Sequence, residues 1–214
     1  MFPRFLALLL LFVCGRSIAV ENQTFSGGPV EIEFNPPRCT VQFTLGALLH
    51  AVHGSFRVKS GRVRFDPDSG QASGQIAVDV RSGETGDAGR DRQMHESVLE
   101  SDRFPDAIFS LAQVKGRVAS NGGSEIELRG LLRIHGAEHQ MTIPVRVKTQ
   151  NGLVTTTAKF TVPYAAWGMK DPSNLLLRVD KTVEVEVMFT GRVGAHSNAS
   201  IPRVDESDNL SSPL

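Results

Sequence analysis

The 214-residue sequence holds two cysteines, one tryptophan and one tyrosine, and its formal charge is zero. So few cysteines exclude a disulfide framework, and the chain must be stabilised by a packed core. The absence of a basic excess removes the electrostatic footprint of nucleic-acid binding, so no nucleic acid is expected as a partner. No serine sits in a Gly-x-Ser-x-Gly elbow, and Cys39 has no sequence neighbour that would lower its pKa. The glycine-rich stretch Gly83 to Gly89 lacks both the lysine and the strand-to-helix setting of a phosphate cradle. Nucleophilic and nucleotide-dependent catalysis therefore have no motif to rest on.

The first nineteen residues read as an export signal. Arg4 precedes an apolar run from Phe5 to Cys14, and Ser17-Ile18-Ala19 places small residues at the first and third positions before a cut. The run is about half the length that spans a bilayer, so it is expected to address the chain rather than anchor it. Cleavage after Ala19 removes Arg4, Arg16 and Cys14, leaving 21 basic against 23 acidic residues and Cys39 as a single thiol, expected as a small buried hydrophobe. From Ala195 to Leu214 the chain is polar, with Pro and Ser and no periodicity, and a disordered tail is expected. The expected organisation is a leader over 1–19, one domain over 20–191 and a polar tail over 192–214.

Period-two alternation dominates between leader and tail. Ile126, Leu128, Gly130, Leu132 and Ile134 alternate with Glu125, Glu127, Arg129 and Arg133, Leu131 being the exception, and Met141, Ile143, Val145 and Val147 alternate with Thr142, Pro144, Arg146 and Lys148. The same pattern holds over Val154 to Val162 and over Val183 to Phe189, which predicts half-buried antiparallel strands. Turn signals fall where the pattern stops, at Asn121-Gly122-Gly123, His135-Gly136 and Asn151-Gly152. Earlier strands are expected at 31–34, 40–45, 55–59, 62–66, 75–80 and 107–114, with a bulge or turn at Gly61. An all-β chain of this kind protects its edges by closing, so the expected fold is a closed antiparallel meander barrel of eight or slightly more strands. Gly46 to His53 and Gly89 to Glu100 break the pattern and read as one or two short helices at the barrel mouth.

Alternation names an inner face: Phe43, Phe56, Phe65, Ile76, Val78, Phe109, Leu128, Leu132, Met141, Ile143, Val145, Phe160, Val185 and Val187. In an eight-stranded barrel such residues either fill the core or line a cavity for one ligand. The histidines offer another reading. His50 and His53 share a face if their segment is helical, His135 and His139 flank a turn, and His95 lies on the second short helix, so a three-histidine metal site is the alternative. No His-Glu-x-x-His pattern supports it, and no metal is expected. A filled barrel that recruits a partner through its tail is the third reading.

The order of short motifs adds a resemblance. Phe65-Asp66-Pro67, Val78-Asp79, Arg90-Asp91 leading to His95 and Leu99, Phe104-Pro105 followed by Ile108-Phe109, Gly130-x-Leu132 and Ile134-His135-Gly136 together resemble the YceI-like family from about Val30 to Gly191. The resemblance implies an exported, lipocalin-like barrel, periplasmic or secreted, that is not an enzyme. It implies that the barrel holds a long isoprenoid chain, a polyprenyl quinone or polyprenyl phosphate, in an elongated apolar cavity, for transport, storage or sequestration. The expected partner is such a lipid, with transient membrane contact and a homodimer as further expectations and no cofactor beyond the bound lipid. Arg90, Asp91 and His95 either meet the lipid head group or stabilise their own helix and loop. Trp167 either caps the cavity or belongs to the peripheral core. The stretch Ala166 to Ser173 departs from the family's general pattern and marks a subgroup.

Overall fold

A computed structural model describes residues 23–47, 50–173 and 178–194. The expected leader and the tail from 195 onward lie outside the described residues. The described residues form nine strands: β1 (Val30–Phe34), β2 (Thr40–Ala47), β3 (Val52–Phe65), β4 (Ala72–Glu84), β5 (Asp106–Lys115), β6 (Gly122–Ile134), β7 (Ala137–Gln150), β8 (Leu153–Val162) and β9 (Val179–Val193). Every pairing is antiparallel, and β2 to β9 pair in sequence order. The ring closes where β9 meets β2, from Thr40↔Met188 to Ala47↔Val179.

Nine strands make eight staves. β1 pairs with the end of β3, from Val30↔Phe65 to Glu33↔Arg62, and β2 pairs with its beginning, from Val41↔Phe56 to Leu45↔Val52. Both also border β9, so β1 and β2 occupy one position in the wall. They are separated by a 3-10 turn at Pro36–Arg38, where two prolines in succession remove the N–H groups that a continuous ladder needs. Cys39 is packed against this break, its thiol donating to the Asn35 carbonyl at 3.1 Å. Burial pushes its pKa up, against a smaller lowering by the Thr190 backbone. It behaves as a buried hydrophobe, as expected.

Local chemistry explains the turns. His135 and Gly136 have φ of 50° and 78°, and Asn151 and Gly152 have 51° and 74°, the double left-handed geometry that matches strand twist in two-residue hairpins. The break expected near Gly61 is a bulge rather than a turn: β3 runs unbroken through fourteen residues, with a register shift between Val58 and Ser60.

Two expectations need correction. Gly46 and Ala47 belong to β2 and Val52 and His53 to β3, paired through Leu45↔Val52 and Thr44↔His53. A single helical turn is costly to nucleate, and the ladder to neighbouring strands overrides it. His50 and His53 therefore do not share a helix face. Second, β9 continues to Val193, with the Val193 N–H bonded to the Gly152 carbonyl and that of Gly194 to Glu31. The ordered barrel thus extends past the expected boundary at 191, because β1 offers Arg192 and Val193 a partner. Of the one or two short helices expected at the mouth, the described residues hold one helical segment, within the expected Gly89 to Glu100. Helix α1 (Ala88–Gln93) starts at Asp87, whose carboxylate accepts the Arg90 N–H at 2.8 Å, and passes into a π-helical turn at Met94–Val98.

The two ends of the barrel differ in construction. At one pole lie the β3–β4, β5–β6 and β7–β8 turns, crossed by residues 23–29. The Phe25 N–H bonds to the Val118 carbonyl at 3.1 Å, and the Phe25 ring meets that of Phe65 edge-on. At the other pole lie the β6–β7 turn, the end of β2 and the start of β3, the α1 segment and residues 163–173 that follow β8. We call these the closed and the lidded pole.

Candidate functional site

Alternation turns one side chain in two toward the barrel axis, and the inward set surrounds a cavity of about 200 Å³. It extends from Val118, Ile126 and Val154 at the closed pole to Leu99, Ile134 and Val162 at the lidded pole, and Thr156 supplies its single polar side chain. Ile126 to Ile134 is eight steps of β6, or about 27 Å along the strand and roughly 20 Å along the axis after strand tilt. So little volume over that length is a narrow bore rather than a chamber.

Glycines keep the bore open. A Cβ on Gly83 would stand 2.5 Å from the Phe56 ring, and one on Gly130 would stand 2.9 Å from that of Phe109. Each ring lies flat on the wall because its neighbour has no side chain. With a methyl at position 83 the Phe56 ring would turn into the lumen, whereas one at position 130 would first meet the Ser110 carbonyl oxygen.

Phe43, Phe56, Phe65, Ile76, Val78, Phe109, Leu128, Leu132, Ile143, Val145, Phe160, Val185 and Val187 all stand on this lining. Met141 does not. It has the inward phase and packs against the core, but its cross-strand partner is Gly130, over which the Phe109 ring lies. The sequence reading missed Phe34, Val41, Leu99 and Phe189, among others that complete the lining. Phe34 falls just before the proline break and Leu99 comes from the lid, where alternation gives no direction.

The lid has two parts. One is the segment between β4 and β5. His95 bridges the Gly83 carbonyl at 2.8 Å and Ser101 Oγ at 3.0 Å, and Asp91 accepts from the Thr85 N–H and hydroxyl at 2.8 and 2.6 Å. Glu100, at a left-handed φ of 43°, reaches His135 Nε2 at 2.8 Å. Asp91 and His95 are thus engaged in holding the lid, whereas Arg90 is exposed. The structure does not gather these three around one ligand group.

The other part is the turn at residues 164–169, which overlaps the stretch Ala166 to Ser173. The Met169 N–H bonds to the Tyr164 carbonyl and the Gly168 N–H to that of Ala165, with Gly168 at φ 87°. This double closure on a left-handed glycine is a Schellman cap. Its accompanying apolar contact joins Met169 and Tyr164, both buried, and Val98 and Leu99 of the other lid part pack against the same cluster. The Tyr164 hydroxyl donates to the Asp180 carbonyl at 2.8 Å. Burial first, and then the charges of Asp171 and Asp180, push its pKa up to about 12. Trp167 stacks on His139 with centroids 3.8 Å apart and planes at 5°.

The histidines are spent separately. His53 Nδ1 lies 3.0 Å from Thr44 Oγ1, His95 and His135 hold the lid, and His139 lies under Trp167. Among the described residues no three His, Cys, Asp or Glu side chains gather to hold a metal ion, so the metalloprotein alternative has no geometry behind it.

A closed antiparallel barrel with a continuous apolar bore defines a class of β-barrel suited to lipid binding. The chain belongs to the YceI-like family, whose domain matches residues 33–191. The fold is similar to that of Burkholderia cenocepacia BcnA, with a TM-score of 0.61 and 21% identity over 73% of this chain and 98% of that one. It is also similar to a polyisoprenoid binding domain from Saccharophagus degradans implicated in plant cell wall breakdown, with a TM-score of 0.59 and 14% identity over 76% and 98%. No curated protein matches the chain.

Proposed function

We propose that this protein is an exported carrier that holds a long isoprenoid chain in its bore without chemically altering it. The observation that carries the reading is the lining itself, apolar from pole to pole with Thr156 as its one polar side chain. An apolar cavity of ~150 Å³ already stays dry and takes up a small hydrocarbon, and this one is larger and elongated. It lies below the roughly 300–1,000 Å³ of pockets for compact ligands, so a slender chain fits it better than a ring system. A repeat of four covalent bonds advances ~4.5–5 Å at ordinary bond lengths, so about four isoprene units span the bore. Likeness in fold to a polyisoprenoid binding domain supports the same ligand class.

The leader-like residues Arg4 and Phe5 to Ala19 support export to a periplasm or to the medium, with loading through transient membrane contact. The experiment is uptake of a C20 isoprenoid by the purified protein, followed by equilibrium dialysis. Saturable binding at one site per chain is expected. An absence of uptake that persists after delipidation and refolding would overturn the reading.

A further inference from the structure

The barrel wall is not joined evenly. β6 and β7 pair along their lengths, from Gly122↔Thr149 to Ile134↔Ala137, and β8 pairs along its whole length with β9, from Leu153↔Arg192 to Val162↔Val183. β7 and β8 pair only from Gln150↔Leu153 to Val145↔Ala158. The ladder stops at Pro144, which has no N–H to contribute. Toward the lidded pole, β7 residues 137–144 and β8 residues 159–162 have no ladder partner in each other, which leaves a seam in the wall. The turn formed by residues 164–169 covers it, with Trp167 laid on His139.

His139 belongs to the inward phase of β7, in step with Ile143 and Val145 of the lining. Its cross-strand partner Leu132 lines the bore, and His139 itself stands just outside that lining. Its Nε2 is buried and has no hydrogen-bond partner. Leaving such an atom unpaired is costly, and a phenylalanine would stack on Trp167 without that cost. Thr149 Oγ1, also buried and unpaired, lies at the closed pole, where the wall is fully laddered.

We propose that His139 Nε2 is the hydrogen-bonding contact for the terminal oxygen of the bound lipid, which lies in the β7–β8 seam under Trp167. The inference rests on the carrier reading and narrows it. Among the described residues the bore lining at this end, with Leu99, Leu132, Ile134 and Val162, holds no charged side chain. A phosphate buried there would lack a counter-charge, so the site selects an uncharged oxygen, a hydroxyl or a quinone carbonyl.

Trp167 is the chain's only tryptophan, so its emission reports the seam without interference. The probes are geranylgeraniol, a short-chain ubiquinone, geranylgeranyl phosphate and the C20 hydrocarbon without oxygen. The native protein is expected to bind at least one of the two uncharged oxygen-bearing probes about tenfold more tightly than the hydrocarbon, as one buried hydrogen bond allows. Trp167 emission should shift on binding, the phosphate should bind less tightly, and whichever of alcohol and quinone prevails identifies the oxygen. His139→Phe is expected to abolish the preference over the hydrocarbon. On the native protein, where no variant has to fold, the 15N resonance of His139 Nε2 should move on binding the preferred probe.

An unchanged preference in His139→Phe, an unmoved Nε2 resonance with the probe bound, or tightest binding of the phosphate would overturn the assignment while leaving the carrier reading intact. Failure of every probe, the hydrocarbon included, would overturn both.

Discussion

At the closed pole the wall finishes itself. Tight hairpins and the segment 23–29 bury Val30, Thr149 and Val154 to 1% exposure or less, and no separate piece of chain is needed beyond the strands' own continuations. At the lidded pole the wall ends early, with the β7–β8 ladder stopping at Val145↔Ala158. Two appended pieces, the α1 segment and the Tyr164–Met169 turn, close what the strands leave open. They are held by a few side-chain contacts, among them His95 to Gly83, Glu100 to His135 and Trp167 on His139. A ladder opens only when many bonds break together, whereas a piece held by a few contacts opens at lower cost. The comparison therefore places the more firmly held wall at one pole and the more easily opened one at the other.

The strongest way to break this comparison is Val154→Asp. It places a charge in a fully buried site at the closed pole and should cost several kcal/mol, read as loss of the folded baseline in urea. A stable variant would show that pole to be wet. Next is Gly83→Ala, whose Cβ would meet side chains only and would force the Phe56 ring into the bore. Overpacking of this kind costs about 1–3 kcal/mol, and lipid uptake should fall further than stability does. Unchanged uptake would mean that the rings do not set the width of the bore.

Asp87→Ala removes the cap of α1 and should cost about 1 kcal/mol. Amide exchange should quicken over 88–98 and stay unchanged in β8 if the lid opens independently of the wall. pH acts on the lid's other half. The folded state holds the Tyr164 pKa above its ordinary value, so the stability it contributes is full below about pH 10 and is lost as pH rises from 10 toward 12. Tyr164→Phe should flatten that alkaline decline in melting temperature. The smallest effect is expected at Arg146→Glu, which disrupts an ion pair with Glu125 on the solvated wall and should change stability by no more than about 0.5 kcal/mol.

Much of the wall was legible because one face is wet. In β6 to β9 the charged residues mark the outside so regularly that Leu132, Ile143, Val145 and Val185 could be assigned inward from sequence, and all stand on the lining. Turns that demand left-handed residues, as at Asn151-Gly152, were legible for the same local reason. Where a long-range partner decides, the sequence was silent or misleading. Gly46 to His53 has helical spacing, yet β9 and its own hairpin draw both of its ends into strands. Met141 alternates correctly but stands opposite a glycine already covered by Phe109. The place of Trp167 depends on a ladder that stops at Pro144, and nothing within Ala166 to Ser173 reveals that gap.

The central claim, that the bore holds an isoprenoid chain, is tested most directly by native mass spectrometry of the protein purified from its own host under non-denaturing conditions. The account predicts one adduct per chain with the mass of a polyprenyl lipid, removed by organic solvent and restored on incubation with the same lipid. A spectrum of bare polypeptide that stays bare after incubation with polyprenyl alcohols, quinones and phosphates would contradict it.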